Sequence, residues 1–541
     1  MKRALVLCMA VVLMAGCGQR TESDGAHSIF RFNLSAPLTS LDPAFASDQP
    51  NSWGCLQLYN GLVQLDAQLQ IVPSIAASWD ISEDQLTYTF HLRKDVYFHD
   101  DPCFTNSKGR QVNAGDFVFA FERLANPATA ARGYWVFQNI VDTVQGFRAI
   151  NDSTLTIRLL RPFSPFLQRL AMPYCSVVPA EAVEHYGKEF RSHPVGTGPF
   201  TFVKWMEGNM LILHRNERYF EKDADGQALP YLDAVNIRFI NNKSTEFLKF
   251  MNGELDFVSD IDVSLKDQIL TRDGKLQQRY ASTFNLLKGP YLNVEYLSVL
   301  MDDKAKVMEE SPLVYPEVRK AINYAFNRSE MLLFLRNNRG LPATGGIVPP
   351  SLYTDPLDKN FGYYYNPDTA KALLEQAGFP GGVGLPELLL HTTAEYQDYA
   401  TYLKDKLEDI GLAIRIETVD PRVLREMRVN EETAFFRSSW IADYSDPESY
   451  LQMFYSVNGA PPNYTRYANP DFDRLYEQAA TEEDPGERNA LYRTMDSLMM
   501  QDSPIIPLYY DEVYRFTRKN VSGLEPDALN LLQLKRVRFT H

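Results

Sequence analysis

From Leu86 to Leu92 the chain alternates apolar and polar residues with a period of two, after the turn-like Ser82-Glu83-Asp84. A strand pair is expected between Trp79 and Phe98, because successive side chains on a strand point to opposite faces. The period changes after Asn113. There Phe117, Phe121 and Leu124 recur at helical spacing, and Asn113 with Asp116 three residues on forms a capping box, so a helix with an aromatic core face is predicted. Two more helices announce themselves by their ends. Asn366-Pro367-Asp368 supplies cap, N1 proline and acidic first turn, with Gly378 and Pro380 as the stop. Asp484-Pro485 with Glu487 precedes Leu491, Met495 and Leu498. The run Ile505-Ile506-Pro507-Leu508-Tyr509-Tyr510 then reads as a buried strand, with Pro507 at an edge or a bulge. Strands and helices alternating in this way through the chain predict an α/β architecture of several lobes.

The first residues follow a different logic. Lys2 and Arg3 precede an apolar run from Ala4 to Ala15 that is too short to span a bilayer, and small residues lead to Cys17, which is the layout of an export signal. Leu13-Met14-Ala15-Gly16-Cys17 resembles the signal of bacterial lipoproteins, in which the cysteine is lipidated and becomes the mature N-terminus; Met14 stands where leucine is usual. Residues 1–16 are therefore expected to be a signal peptide and 17–27 a polar tether. Cys55, Cys103 and Cys175 would remain in an oxidising compartment, with three pairings open and one thiol left over.

Composition removes some function classes. The chain has 541 residues, 45% hydrophobic, and its 69 acidic against 54 basic residues give a net charge of −15 with no Lys/Arg-rich run, which argues against a nucleic-acid partner. No G-x-S-x-G or H-E-x-x-H occurs, and no CxxC. His99-Asp100-Asp101-Pro102-Cys103 crowds potential metal ligands, but consecutive residues point in different directions, and a polar loop is the expected reading. Glu181 and His185, four apart on a predicted helix, lack a third ligand. Val195-Gly196-Thr197-Gly198-Pro199-Phe200 reads as a tight turn feeding a strand and lacks the lysine of a phosphate loop. No catalytic residue, metal site or cofactor is predicted.

The segment Phe435 to Pro447 carries the most chemistry. Arg437 and Asp443 are six apart, so on a straight strand both project from one face with Cα atoms about 20 Å apart at ~3.3 Å per residue. A ligand with an ammonium at one end and a carboxylate at the other, such as a short peptide, could bridge them, with Trp440 and Tyr444 supplying apolar area. A structural ion pair or solvated charges would fit the same spacing.

Several segments, in order, resemble the bacterial extracellular solute-binding proteins of family 5, the oligopeptide- and dipeptide-binding components of ABC importers. They include Ser40-Leu41-Asp42-Pro43, Tyr59-Asn60-Gly61-Leu62-Val63, Val72 to Trp79, Tyr88 to Lys94, Val195 to Phe200, Val318 to Ile322, Trp440 to Leu451 and Ile505 to Tyr510. The resemblance implies a two-lobed α/β fold of the type II periplasmic-binding-protein kind with a hinged cleft. Lobe I would comprise 28–58, 191–290 and 513–541, with an extra subdomain at 59–190, and lobe II 291–512. It further implies that Asp443 holds a peptide's α-ammonium and Arg437 its carboxylate, beside Trp440 and Tyr444. Ile441 replaces a cysteine that forms a disulfide in some relatives, and the histidine that some use for longer peptides has no counterpart near Tyr396 and Gln397. The expected protein is a monomeric, non-enzymatic lipoprotein, anchored by lipid at Cys17 in the periplasm or on the outer face of the cell membrane. It would capture short peptides for an ABC permease and its ATPase subunits. Relatives that bind sugars, opines, metal complexes or heme supply alternatives within the family; an exported hydrolase or a peptide-sensing receptor lies outside it.

Overall fold

The computed structural model describes residues 28–142, 145–353 and 362–540; the predicted signal peptide and the whole of the tether, Cys17 included, lie outside the described residues. The local signals become elements where they were expected. Ala76–Ile81 and Thr87–Leu92 pair antiparallel, and Asn113 and Asp116 complete a capping box on the helix Ala114–Ala125. Asn366 caps Pro367–Gln376, and Asp484 caps Pro485–Asp502.

The main sheet has 11 strands among the described residues. Its middle is an antiparallel pair of long strands, Phe284–Val299 and Ile505–Arg518. At one end this pair joins Phe257–Ser259, which leads through Ile29–Leu34 to Ala234–Phe239. At the other end Phe435–Ile441 pairs with residues 293–299 and leads on to Leu388–Thr392 and Ile414–Thr418. The two long strands thus cross from one lobe to the other. Pro507 sits opposite Tyr296 at a register shift, a bulge in a central strand, where its missing N–H removes no regular ladder bond.

A four-stranded antiparallel sheet, in the order Ala76–Ile81, Thr87–Leu92, Thr154–Arg158, Phe147–Asn151, lies beside the first lobe. Its buried Phe90, Leu155 and Ile157 belong to the same apolar cluster as Phe30, Phe32, Trp53 and Ile237, so residues 59–190 have no separate interior. The second lobe buries two clusters, one around Val299, Ile322 and Leu403, the other around Tyr450, Phe472 and Met495.

The motif around Gly196 is scaffold. Gly198 donates to the carbonyl of Leu58, and a Cβ at Gly198 would lie 2.4 Å from the Leu58 carbonyl carbon. One nitrogen of the buried His99 ring meets the Gly198 carbonyl at 3.0 Å, and burial pushes the imidazole down to about 4, so it stays neutral. Asp100 pairs with Arg218 at 2.5 Å and Lys108 at 2.7 Å. The 103–110 loop is tied down by Arg110, which reaches Asp116 and Glu181, both at 2.6 Å. Cys55, Cys103 and Cys175 are unpaired.

Candidate functional site

The crossing strands are interrupted where the lobes meet. Between Pro290 and Val294 the register with the 505–518 strand shifts, leaving Tyr291, Leu292 and Asn293 outside the backbone register of that pair. A bulge re-aims side chains. Here Tyr291 lines one cavity and Asn293 a second.

The first cavity, about 290 Å³, is built from both lobes: Asp48, Trp53, Met172 and Tyr174 on one side, Tyr291, Ile441 and Asp443 on the other. Strand alternation puts Arg437, Ser439 and Ile441 on one face, opposite Leu297, Glu295 and Asn293. Asp443 follows just beyond the strand end. Its backbone N–H donates to Ser449 Oγ at 2.8 Å, while its carboxylate accepts no hydrogen bond and joins no ion pair among the described residues. Burial, helped by nearby Glu448 and opposed by Arg169, pushes this carboxyl up to about 7. A partly buried carboxylate without a donor costs desolvation energy until a cation arrives.

Arg437 is differently placed from what its spacing alone suggests. Its guanidinium donates to Glu295 at 2.6 Å and stacks on Tyr396 at 3.6 Å from the ring centre, so its charge is matched inside the protein. Burial still holds Glu295 above the usual carboxylate range, against the pull of Arg437. Trp440 faces the opposite side of the strand and packs in the second lobe's core, its indole N–H donating to the Ser449 carbonyl at 2.7 Å. Tyr444 lines the first cavity but is itself buried. Its hydroxyl donates to Glu448, which also accepts from Tyr476, and it accepts from Arg169 at 3.1 Å.

Arg169 is the residue that spacing gave no reason to single out. It belongs to the 59–190 segment, is 7% exposed, and lies against the rings of Phe163, Trp135 and Tyr444 at 4.7–5.3 Å. It therefore joins the first lobe to the Asp443-Tyr444 turn. Ser164 adds bonds to the carbonyls of Ala480 and Glu482, and Gln85 one to Glu483. Asn293 and Glu295 left a legible trace: two polar residues alternating with Leu292, Val294 and Tyr296 in a buried strand.

Comparison with known proteins agrees with this architecture. Residues 70–462 match the family described as bacterial extracellular solute-binding proteins, family 5 Middle. The glutathione-binding protein GsiB of Escherichia coli O1:K1 is 27% identical over 534 residues, covering 97% of this chain and 96% of its own. The periplasmic binding protein DppA of Helicobacter pylori, solved with the peptide STSA, is 27% identical with a TM-score of 0.76, over 95% of this chain and 98% of that one. HbpA2 of Haemophilus parasuis, at 23% identity, superposes with a TM-score of 0.81 over 95% of this chain and all of its own.

Proposed function

Because the chain belongs to the bacterial extracellular solute-binding proteins of family 5, we propose that it captures short peptides between its lobes and delivers them to an ABC importer, held at the membrane by lipid on Cys17. The observation that carries the reading is the Asp443 carboxylate, lining an interlobe cavity with no donor of its own. A peptide's α-ammonium is the complementary group, and a charge-assisted hydrogen bond there would be among the stronger contacts available. Closure of the lobes around the peptide would supply contacts from both sides, so binding shifts the population toward the closed form.

The geometry also bears on length. Glu295, which holds the Arg437 guanidinium, pairs across the sheet with Ser439, four residues or about 13 Å from Asp443 at ~3.3 Å per residue. An extended peptide covers at most about 3.5 Å per residue, so two to four residues fit between them. In this reading a peptide carboxylate reaches Arg437 by sharing it with Glu295, at the guanidinium Nε that has no partner of its own. Glutathione, for which the GsiB relatives are named, falls in that size range and is the second reading.

No helix among the described residues is long and apolar enough to cross a membrane; the lipid anchor is proposed on the lipoprotein-like layout of residues 2–17. The test is calorimetry with di- to tetrapeptides and glutathione on the wild type and Asp443→Asn, joined to mass spectrometry of the incubated peptides. Submillimolar binding of intact peptide that Asp443→Asn weakens supports the reading. Unchanged affinity in the variant removes Asp443 from the site, and cleaved peptide rejects a pure binding role.

A further inference from the structure

The second cavity, about 220 Å³, lies on the other side of the bulge from Asp443, and both lobes contribute to it: Asp260 and Lys266 from one, Asn293, Glu295, Arg336 and Tyr396 from the other. Each basic group of its lining has a partner, and so has the neighbouring Arg437, although the buried Nε of Arg437 is left without one. Arg336 pairs with Asp511 at 2.6 Å, Arg339 with Asp260 at 2.5 Å and Arg437 with Glu295 at 2.6 Å, while Lys266 donates to Asn337 at 2.8 Å and lies 3.6 Å from Asp267.

Among the residues that line the cavity, what remains over is of one kind. Glu395 and Asp398 line the cavity on its exposed side and have no ion pair or hydrogen bond among the described residues. At the buried end sits Asn293, 7% exposed. Its amide nitrogen donates to Glu295 and Asp511, both at 3.3 Å; two carboxylates can only accept, which fixes the orientation of the amide. The amide oxygen then has no partner. A buried acceptor without a donor is costly and calls for an explanation. The walls between are the rings of Tyr396, Tyr399, Tyr509 and Tyr514; Arg437, Arg336 and Arg339 already lie over the first, third and fourth of them. Unused acceptors, an aromatic wall and guanidiniums already ion-paired within the protein make a receptor for a donor of positive charge.

We propose that this cavity is a subsite for a cationic side chain of the ligand, so that the protein selects short peptides carrying lysine, ornithine or arginine after the first residue. The inference rests on the reading of Asp443 as the anchor of the peptide's α-ammonium. With that end fixed, the cavity two residues further along the bulge is where a second or third side chain arrives. An ammonium there donates to Asn293 Oδ1, shares Glu295 or Asp511 with their arginines, and is screened from water by the tyrosines.

The test is calorimetry at low and moderate salt with Ala-Lys and Ala-Ala-Lys, each beside its norleucine and glutamate counterparts. Norleucine keeps the aliphatic stem and removes the charge. The lysine peptide of at least one length is expected to bind ten-fold or more tighter than its norleucine twin, with glutamate weakest and the advantage shrinking as salt rises. In Asn293→Ala and in the double variant Glu395→Gln/Asp398→Asn, the lysine-to-norleucine ratio is expected to fall several-fold. Equal or tighter binding of norleucine at both lengths, or a ratio unmoved in both variants, overturns the proposal while leaving the Asp443 reading intact. The Asp443 reading fails separately if Asp443→Asn binds all the peptides as the wild type does. If none of the peptides binds, both readings fall together.

Discussion

Raising the pH from 6 to 7.5 should tighten peptide binding, and the amount follows from the environment of Asp443. Burial without a donor pushes its carboxyl up to about 7. A bound ammonium favours the charged form and draws that value back down, so binding below neutrality must first expel a proton. With the free value near 7, about a tenth of the protein carries the carboxylate at pH 6 and about three quarters at pH 7.5. The association constant should rise about eightfold over that interval, about 1.2 kcal/mol. Above pH 8 it should fall again, as the α-ammonium of the peptide titrates. At pH 6 nearly one proton should leave per peptide bound, which calorimetry in two buffers of different ionisation enthalpy measures directly. Asp443→Asn should lose both the slope and the proton release, and bind about 2 kcal/mol more weakly, the scale of a hydrogen bond to a charged group. A flat profile between pH 6 and 7.5 with no proton released would refute the assignment of Asp443 to the ligand's ammonium.

Other perturbations probe the frame that presents this carboxylate. Arg169→Met keeps bulk but removes the donor to Tyr444 and a positive charge that Glu448 feels; a loss of about 2–4 kcal/mol in denaturant unfolding is expected, with weaker peptide binding, and wild-type values for both would show that the link is idle. Gly198→Ala would drive a Cβ into the Leu58 backbone, so its melting temperature should drop by the equivalent of about 1–3 kcal/mol; an unchanged melt would contradict the close approach. Asp496 accepts from the amides of Ile347 and Val348 and is pushed up to about 7 by burial. Its folded pKa lies above the unfolded value near 4, so its contribution is full below pH ~4 and is lost as the pH rises through ~7. Asp496→Asn should therefore lose less stability than the wild type between pH 5 and 8, and parallel losses would reject the assignment.

What could be read in the chain beforehand divides along the range of the interactions. Asn113 with Asp116, Asn366 with Pro367, and Asp484 with Glu487 act within one turn of helix, so a window of four residues contains the cause as well as the effect. Strand alternation, being local, put Arg437 on one face with Ser439 and Ile441, but the strand ends before Asp443, so only that half of the even spacing carried over. The charge state of each did not. Arg437 is neutralised by Glu295, 142 residues away in sequence, through a cross-strand register that no window holds. Asp443 is left without a donor because the turn spends its bonds on Ser449 and Glu448, and because Arg169, which faces that turn, reaches Tyr444 across 275 residues. Trp440 fell on the core face for the same reason that Arg437 fell on the cleft face.

Local rules are strained in the places where the site lies: a bulge in the middle of the crossing strands, Asn293 and Glu295 in an otherwise apolar strand, and acids held above their ordinary range at positions 443 and 446. Each costs stability by itself, and in a well-packed fold such costs are tolerated where something else depends on them. Here they share one consequence. The bulge aims Tyr291 and Asn293 into neighbouring cavities, and each cavity holds an acceptor without a donor, the Asp443 carboxylate in one and Asn293 Oδ1 in the other. A dicationic ligand relieves both at once, and a neutral one relieves neither. The cationic preference therefore follows from the same imbalance that sets the pH dependence, and measuring either one constrains the other.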